Sequence, residues 1–102
     1  MKTGLGSLRM RQVEESLQPW TTLPIRQPPA GGWVRSIREA LGMSASQLGR
    51  RMGLSRQAVA DLERREMSRG ATLAALDKVA EALNADLVYA IVPSDGAPLR
   101  LV

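Results

Sequence analysis

The 102-residue chain contains no cysteine, no histidine and no phenylalanine, and aromatic residues make up only 3% of it. Each absence removes a class of chemistry. Without cysteine there is neither a disulfide framework nor a thiolate metal site. Without histidine the commonest general base and the commonest metal ligand are gone, together with every Ser-His or Cys-His nucleophile. Asp, Glu, Lys and Tyr remain, but they form no recognisable catalytic cluster. Tyr89 and Asp86 lie near each other in sequence, yet a tyrosine in a β-prone segment is far more often a packing residue. No catalytic residue, metal ligand or cofactor is expected, and the chain does not read as an enzyme. With two Trp and one Tyr, the core must be assembled from Leu, Val, Ile, Met and Ala. A chain of this length builds one modest core. No apolar run reaches the length needed to span a bilayer. The start, MKTGLGSLRMRQ, lacks an apolar signal core followed by a small-residue cleavage site, so a cytoplasmic location is the expectation.

What the chain has in abundance is arginine. Twelve of its fourteen basic residues are Arg, the formal net charge is +4 and the pI is about 10.7. Arginine makes bidentate contacts to phosphates and to guanine edges, so the charge points to a polyanionic partner.

Three segments differ in character. Residues 1–32 form an N-terminal arm: LGSLRMRQVEESLQ at 5–18 has Met10, Val13, Leu17 and Trp20 at helical spacing, and PWTTLPIRQPPAGG at 19–32 holds four prolines and ends in two glycines, the composition of a partly stiff linker. Residues 33–84 carry successive helical patterns. The first, WVRSIREAL, puts Val34, Ile37 and Leu41 on one face and stops at Gly42. Ser44 opens the next; with Gln47 three residues on it forms a capping box, and Leu48 and Met52 are the inner positions. Gly53 ends that helix, Ser55 caps another with Val59 and Leu62 inside, and Thr72 caps a last one with a stripe of Leu73, Leu76, Val79, Ala80 and Leu83. Residues 85–102 change again. DLVYAIVP is β-prone and ends at Pro93, so a short strand is expected. A lone strand needs a partner: the TTLPI stretch of the linker, the same strand in a second copy, or another protein. The expected fold is an all-α bundle of four to five helices with a helical arm and a short C-terminal strand.

The segment MGLSRQAVADL at 52–62 is the most informative. Two short helices, 44–52 and 55–66, are joined by about three residues around Gly53, the spacing of a helix-turn-helix. Gly49 falls where the helices approach, Gly53 occupies the turn, and Val59 is the β-branched wedge between them, at intervals of four and six residues. Leu48, Met52, Leu54 and Leu62 complete the apolar set. A generic small bundle has amphipathic helices but no reason for this pattern.

These residues, IREALGMSASQLGRRMGLSRQAVADLE followed by LAALDKVAEAL, resemble the Xre family, the lambda-repressor-like DNA-binding fold, over roughly residues 33–84. The resemblance implies that the start of the second motif helix enters the major groove of duplex DNA. Carried onto this chain, the base-reading residues are Arg56, Gln57, Ala60 and Asp61: Arg56 toward guanine O6 and N7, Gln57 toward adenine N6 and N7. Ala58 and Ala60 are small enough to allow close approach. Ser55 would cap the helix and present its N-terminal amides to a phosphate. Many members carry Gln directly after the residue that caps the first motif helix; here that position is Ala45, so Ser44 or Ser46 is the expected substitute for its backbone contact. Arg35, Arg38 and Arg69 are further candidates for phosphate contact, with Arg50 and Arg51 behind them and Arg64 and Arg65 favouring the helix end through its dipole. Glu63 is expected in an internal ion pair. Gly49, Gly53, Val59 and Leu62 are the structural residues of the motif.

Over nearly the whole chain, LRMRQVEESL, GGWVRSIREALGMSASQLGRRMGLSRQAVADLE and EALNADLVYAIVP also look like the mobile mystery protein A family, typically encoded beside a Fic-domain protein. That resemblance implies an antitoxin-like autorepressor of a toxin-antitoxin operon, acting as a homodimer on an inverted-repeat operator, with a Fic-domain protein as possible partner. An alternative is an interaction module that neutralises the Fic-type enzyme, with DNA binding secondary. The Ser/Thr-x-x-x-Glu-Gly/Asn inhibitory motif of many Fic systems is absent, so restraint would have to come from covering the enzyme's surface, with the arm and the tail as the parts available.

Overall fold

Caps set the helix boundaries. In the computed structural model, which describes residues 5–24, 27–94 and 98–99, five helices run in order: α1 (Leu5–Thr21), α2 (Trp33–Ala40), α3 (Ala45–Met52), α4 (Arg56–Met67) and α5 (Leu73–Ala82). Ser44 accepts from the Gln47 amide at 3.1 Å while Gln47 Oε1 accepts from the Ser44 amide at 2.7 Å, which is the capping box read from the sequence. Ser55 and Thr72 take the Ala58 and Ala75 amides at 3.1 and 3.0 Å. Each bond satisfies a donor that the first helical turn leaves free. At the other ends, α2 to α5 close with an amide five residues on returning to the last turn: Met43 to Arg38 O, Leu54 to Gly49 O, Gly70 to Arg65 O and Ala85 to Ala80 O, at 2.7–2.9 Å. This closure needs a left-handed residue. Glycine supplies it twice, at Gly42 and Gly53, and Arg69 (φ 65°) and Asn84 (φ 55°) supply it for α4 and α5.

The chain divides into two units, Gln27–Val88 and Met1–Arg26 with Tyr89–Val102. In the first, α3 packs on α4 and α5, and α2 packs on α4. Val34, Leu48, Val59, Leu62, Val79 and Leu83 are buried at its centre, with Ile37, Met43, Ala45, Met52, Ala75 and Leu76 packed around them. The aliphatic core expected from the lack of aromatics is what forms. Three residues read as inner are largely exposed: Leu41, Leu54 and Leu73. Leu41 is already the C-cap of α2, Leu54 lies in the turn, and Leu73 is the first residue of α5, beyond the packed stripe.

In the second unit α1 runs to Thr21, past Pro19, further than the proline suggested. The Thr21 and Thr22 hydroxyls donate to the Gln18 and Pro19 carbonyls at 2.9 and 3.4 Å, satisfying acceptors at the frayed end. Val13, Leu17 and Trp20 are half-buried and Met10 is exposed.

The expected C-terminal strand does not form among the described residues. Residues 85–93 carry no ladder bonds, and Val88, Tyr89 and Ile91 are exposed. Strand propensity describes a side chain's fit to a pleated surface; a strand needs a paired backbone, and no ladder pairs this segment among the described residues. Ile25 of the TTLPI candidate partner and tail residues 95–97 and 100–102 lie outside the described residues. Among the described residues no helix is long and apolar enough to cross a membrane.

Candidate nucleic-acid interface

The geometry of the α3–α4 pair is set by the three residues at the turn. Gly53 takes φ 69°, and the Leu54 amide that follows returns to Gly49 O at 2.7 Å. A Cβ at Gly49 would lie 2.5 Å from the Leu54 carbonyl oxygen and 3.3 Å from that of Ser55. What needs glycine at position 49 is therefore the backbone of the turn, pressed against α3, rather than a side chain of the second helix. Val59 is fully buried and Leu62 nearly so, which fixes how α4 rolls on α3. Ala45, where a glutamine was the family expectation, packs against the core.

With Val59 and Leu62 inward, the leading end of α4 is turned outward. Arg56 and Gln57 are exposed, and Arg56 has no hydrogen-bond or ion-pair partner among the described residues. Ala60 is half-buried and offers little more than a methyl group. Gln57 and Asp61 sit one turn apart: Gln57 Nε2 donates to Asp61 Oδ1 at 3.1 Å. Arg64, a further turn along, forms a close ion pair with the same oxygen. Sequence reading named Gln57 and Asp61 as separate base-reading residues and assigned Arg64 to the helix dipole; the i, i+3 spacing to Asp61 was the available clue.

The remaining candidates separate by what they already hold. Arg38, expected to touch a phosphate, is committed internally. Its Nε and Nη2 donate to the two Glu63 carboxylate oxygens at 2.7 and 3.2 Å, and its Nη1 donates to Met43 O at 2.9 Å. Both side chains are only 12% exposed. The hydrogen bond to Glu63 holds the guanidinium above its ordinary pKa, outweighing the opposing effect of burial. This bidentate pair ties α2 to α4, and it realises the internal role read for Glu63. Arg35 pairs with Glu39 at 3.2 Å across one exposed turn, a weak contact that leaves it available. Arg51 donates to Ala82 O at 3.2 Å, tying α3 to the end of α5. Arg50, Arg65 and Arg69 are exposed and unpaired among the described residues. Ser44 and Ser55 spend a lone pair on capping but keep a hydroxyl hydrogen to donate; Ser46 is half-buried.

One structural residue escaped the sequence entirely. Helix α2 begins after Gly32, which has no side chain to cap it. Glu66, at the far end of α4, accepts from the Trp33 and Val34 amides at 2.7 and 2.9 Å instead. The missing cap was the signal; the acceptor's identity, more than thirty residues away, was not legible.

Comparison with known families matches the Helix-turn-helix model (HTH_3) to residues 34–89. No curated protein and no solved structure matches the chain. The match takes in more than half of the sequence and runs from the second residue of α2 past the end of α5, with the turn at Gly53 inside it. The chain therefore belongs to the helix-turn-helix family, as an Xre-like DNA-binding regulator.

Proposed function

We propose that this regulator binds a specific inverted-repeat operator as a homodimer, reading bases with the leading end of α4, and represses the operon that encodes it in the manner of an antitoxin. The observation that carries this reading is the exposure of Arg56 and Gln57 at the capped start of a helix whose opposite face is locked by Val59 and Leu62. Arg56 toward guanine and Gln57 toward adenine would each discriminate by about 1–3 kcal/mol. Arg35 and Arg69, with the hydroxyls of Ser44, Ser46 and Ser55, are the groups proposed for phosphate contact. Arg38 is withdrawn from that set by its bond to Glu63. Two-fold symmetric sites are read by two-fold symmetric dimers, and the exposed apolar side chains of Val88, Tyr89 and Ile91 are the surface we assign to self-association.

The test is selection of preferred sequences from a random duplex pool, followed by binding of Arg56→Ala and Gln57→Ala to the selected site. Each variant is expected to lose preference at its own base position, with wild-type affinity falling steeply as salt rises. Full affinity and unchanged preference in both variants would rule out α4 as the reading helix.

A second reading is favoured by the same exposed apolar segment and by the helical arm α1: the chain is an interaction module that neutralises a Fic-type enzyme, with DNA binding secondary. Co-purification with the product of the neighbouring gene discriminates. Capture of that partner by a chain lacking residues 1–30 would exclude the arm as the contact.

A further inference from the structure

Gln57 does not stand alone on the reading face. One of its two amide hydrogens is already donated to Asp61 Oδ1, and the same oxygen is held by Arg64. A carboxylate only accepts, so the amide cannot flip: Oε1 turned toward Asp61 would set two acceptors face to face. The amide that remains offers one N–H and one carbonyl oxygen. In the major groove adenine presents one acceptor (N7) and one donor (N6), whereas guanine presents two acceptors, N7 and O6. A free glutamine can turn both amide hydrogens toward guanine. A glutamine that has given one hydrogen to Asp61 cannot.

We propose that Asp61 is a positioning residue that makes Gln57 selective for adenine over guanine, acting through Gln57 rather than by touching a base. This rests on the reading of α4 as the base-reading helix. It replaces the direct base contact expected of Asp61 from the family resemblance. Arg64 has two parts in the arrangement. It pins the carboxylate, and it offsets a negative charge that would otherwise stand close to the phosphates. Ordering the Gln57 side chain before binding also lowers the entropy lost when it meets a base.

The experiment uses the full chain and the duplex selected by the wild type, with each adenine replaced in turn by guanine, keeping the pairs complementary. Gln57→Ala identifies the position that residue reads. Asp61→Ala is expected to lower the adenine-over-guanine ratio at that position by at least about five-fold, the lower end of what one bidentate contact discriminates. Its affinity for unrelated duplex should stay level or rise, because a negative charge has gone. Asp61→Asn donates as well as accepts, so it no longer forbids the flip of the Gln57 amide and is expected to lower the ratio at that position alone, whereas a purely electrostatic role would move every position alike. Asp61 is on the helix surface, and thermal melting checks that both variants fold. Loss of preference in Gln57→Ala with an intact ratio in Asp61→Ala overturns this proposal and leaves the α4 reading standing. No lost position in Gln57→Ala also overturns this proposal, and the α4 reading falls with it when Arg56→Ala loses none either.

Discussion

Arg38 and Arg35 lie one turn apart on α2, and nothing in their sequence context separates them. The structure does: one guanidinium is 12% exposed and doubly bonded to Glu63, while the other lies along the surface beside Glu39. Their removal should therefore read out in different experiments. Arg38→Ala is expected to cost about 1.5–3 kcal/mol of stability, because it deletes charge-assisted bonds and strands the Glu63 carboxylate, whose side chain is only 12% exposed. The dependence of DNA affinity on salt should stay unchanged. Arg35→Ala should leave the unfolding midpoint in place and lower the salt slope by about 0.9, the contribution of one phosphate. Urea unfolding and a salt titration check both. A reduced slope in a well-folded Arg38→Ala protein would contradict the assignment. Since the Glu63 bond raises the Arg38 pKa above its ordinary value, this stabilisation is fully present through the physiological range and is lost only as pH rises through the raised folded-state pKa. Gly49 shows the limit of legibility at this scale. The need for a small residue was readable from the motif spacing. That the obstacle is the Leu54 carbonyl, rather than a side chain of α4, depends on the path of the turn and was not.

Among the elements, α3, α4 and α5 were legible because each carries its own start signal in Ser44, Ser55 and Thr72, and because the glycine after α3 marks its end. Local chemistry decides these boundaries, and local chemistry is what a sequence displays. Helix α2 is the contrary case. Its first amides depend on Glu66, so its start is a tertiary feature. Glu66→Ala is expected to cost about 0.5–2 kcal/mol, the usual worth of a lost cap. It should also speed hydrogen exchange at the Trp33 and Val34 amides, which lose their acceptor. Equal exchange in the variant and the wild type would show that α2 is capped otherwise. The segment at 85–93 failed as a strand for the reason that makes strands hard to read: propensity is a property of residues, pairing is a property of two segments. The end of α4 marks another departure from local preference. Arg69 occupies a left-handed position that Gly70, its neighbour, would fill at lower cost. A basic side chain kept there fits a role outside the fold.

At the scale of the whole molecule, the unit Gln27–Val88 carries the family match almost entirely, and α1 and the tail are additions to it. The charge of +4 is distributed so that several arginines are tied into the fold or into local pairs, while Arg56, Arg50, Arg65 and Arg69 remain unengaged among the described residues. Net charge alone thus overstated the number of arginines available to DNA; Arg38 is the clearest subtraction. The proposed function depends on the end of α4 that Ser55 caps reaching the base edges. The direct measurement is binding of Gln57→Ala and Arg56→Ala to the duplex the wild type selects from a random pool, with each base position varied in turn. The account predicts that each variant loses discrimination at one position, by about 5- to 150-fold, and keeps it elsewhere. Discrimination unchanged at every position in both variants would contradict it.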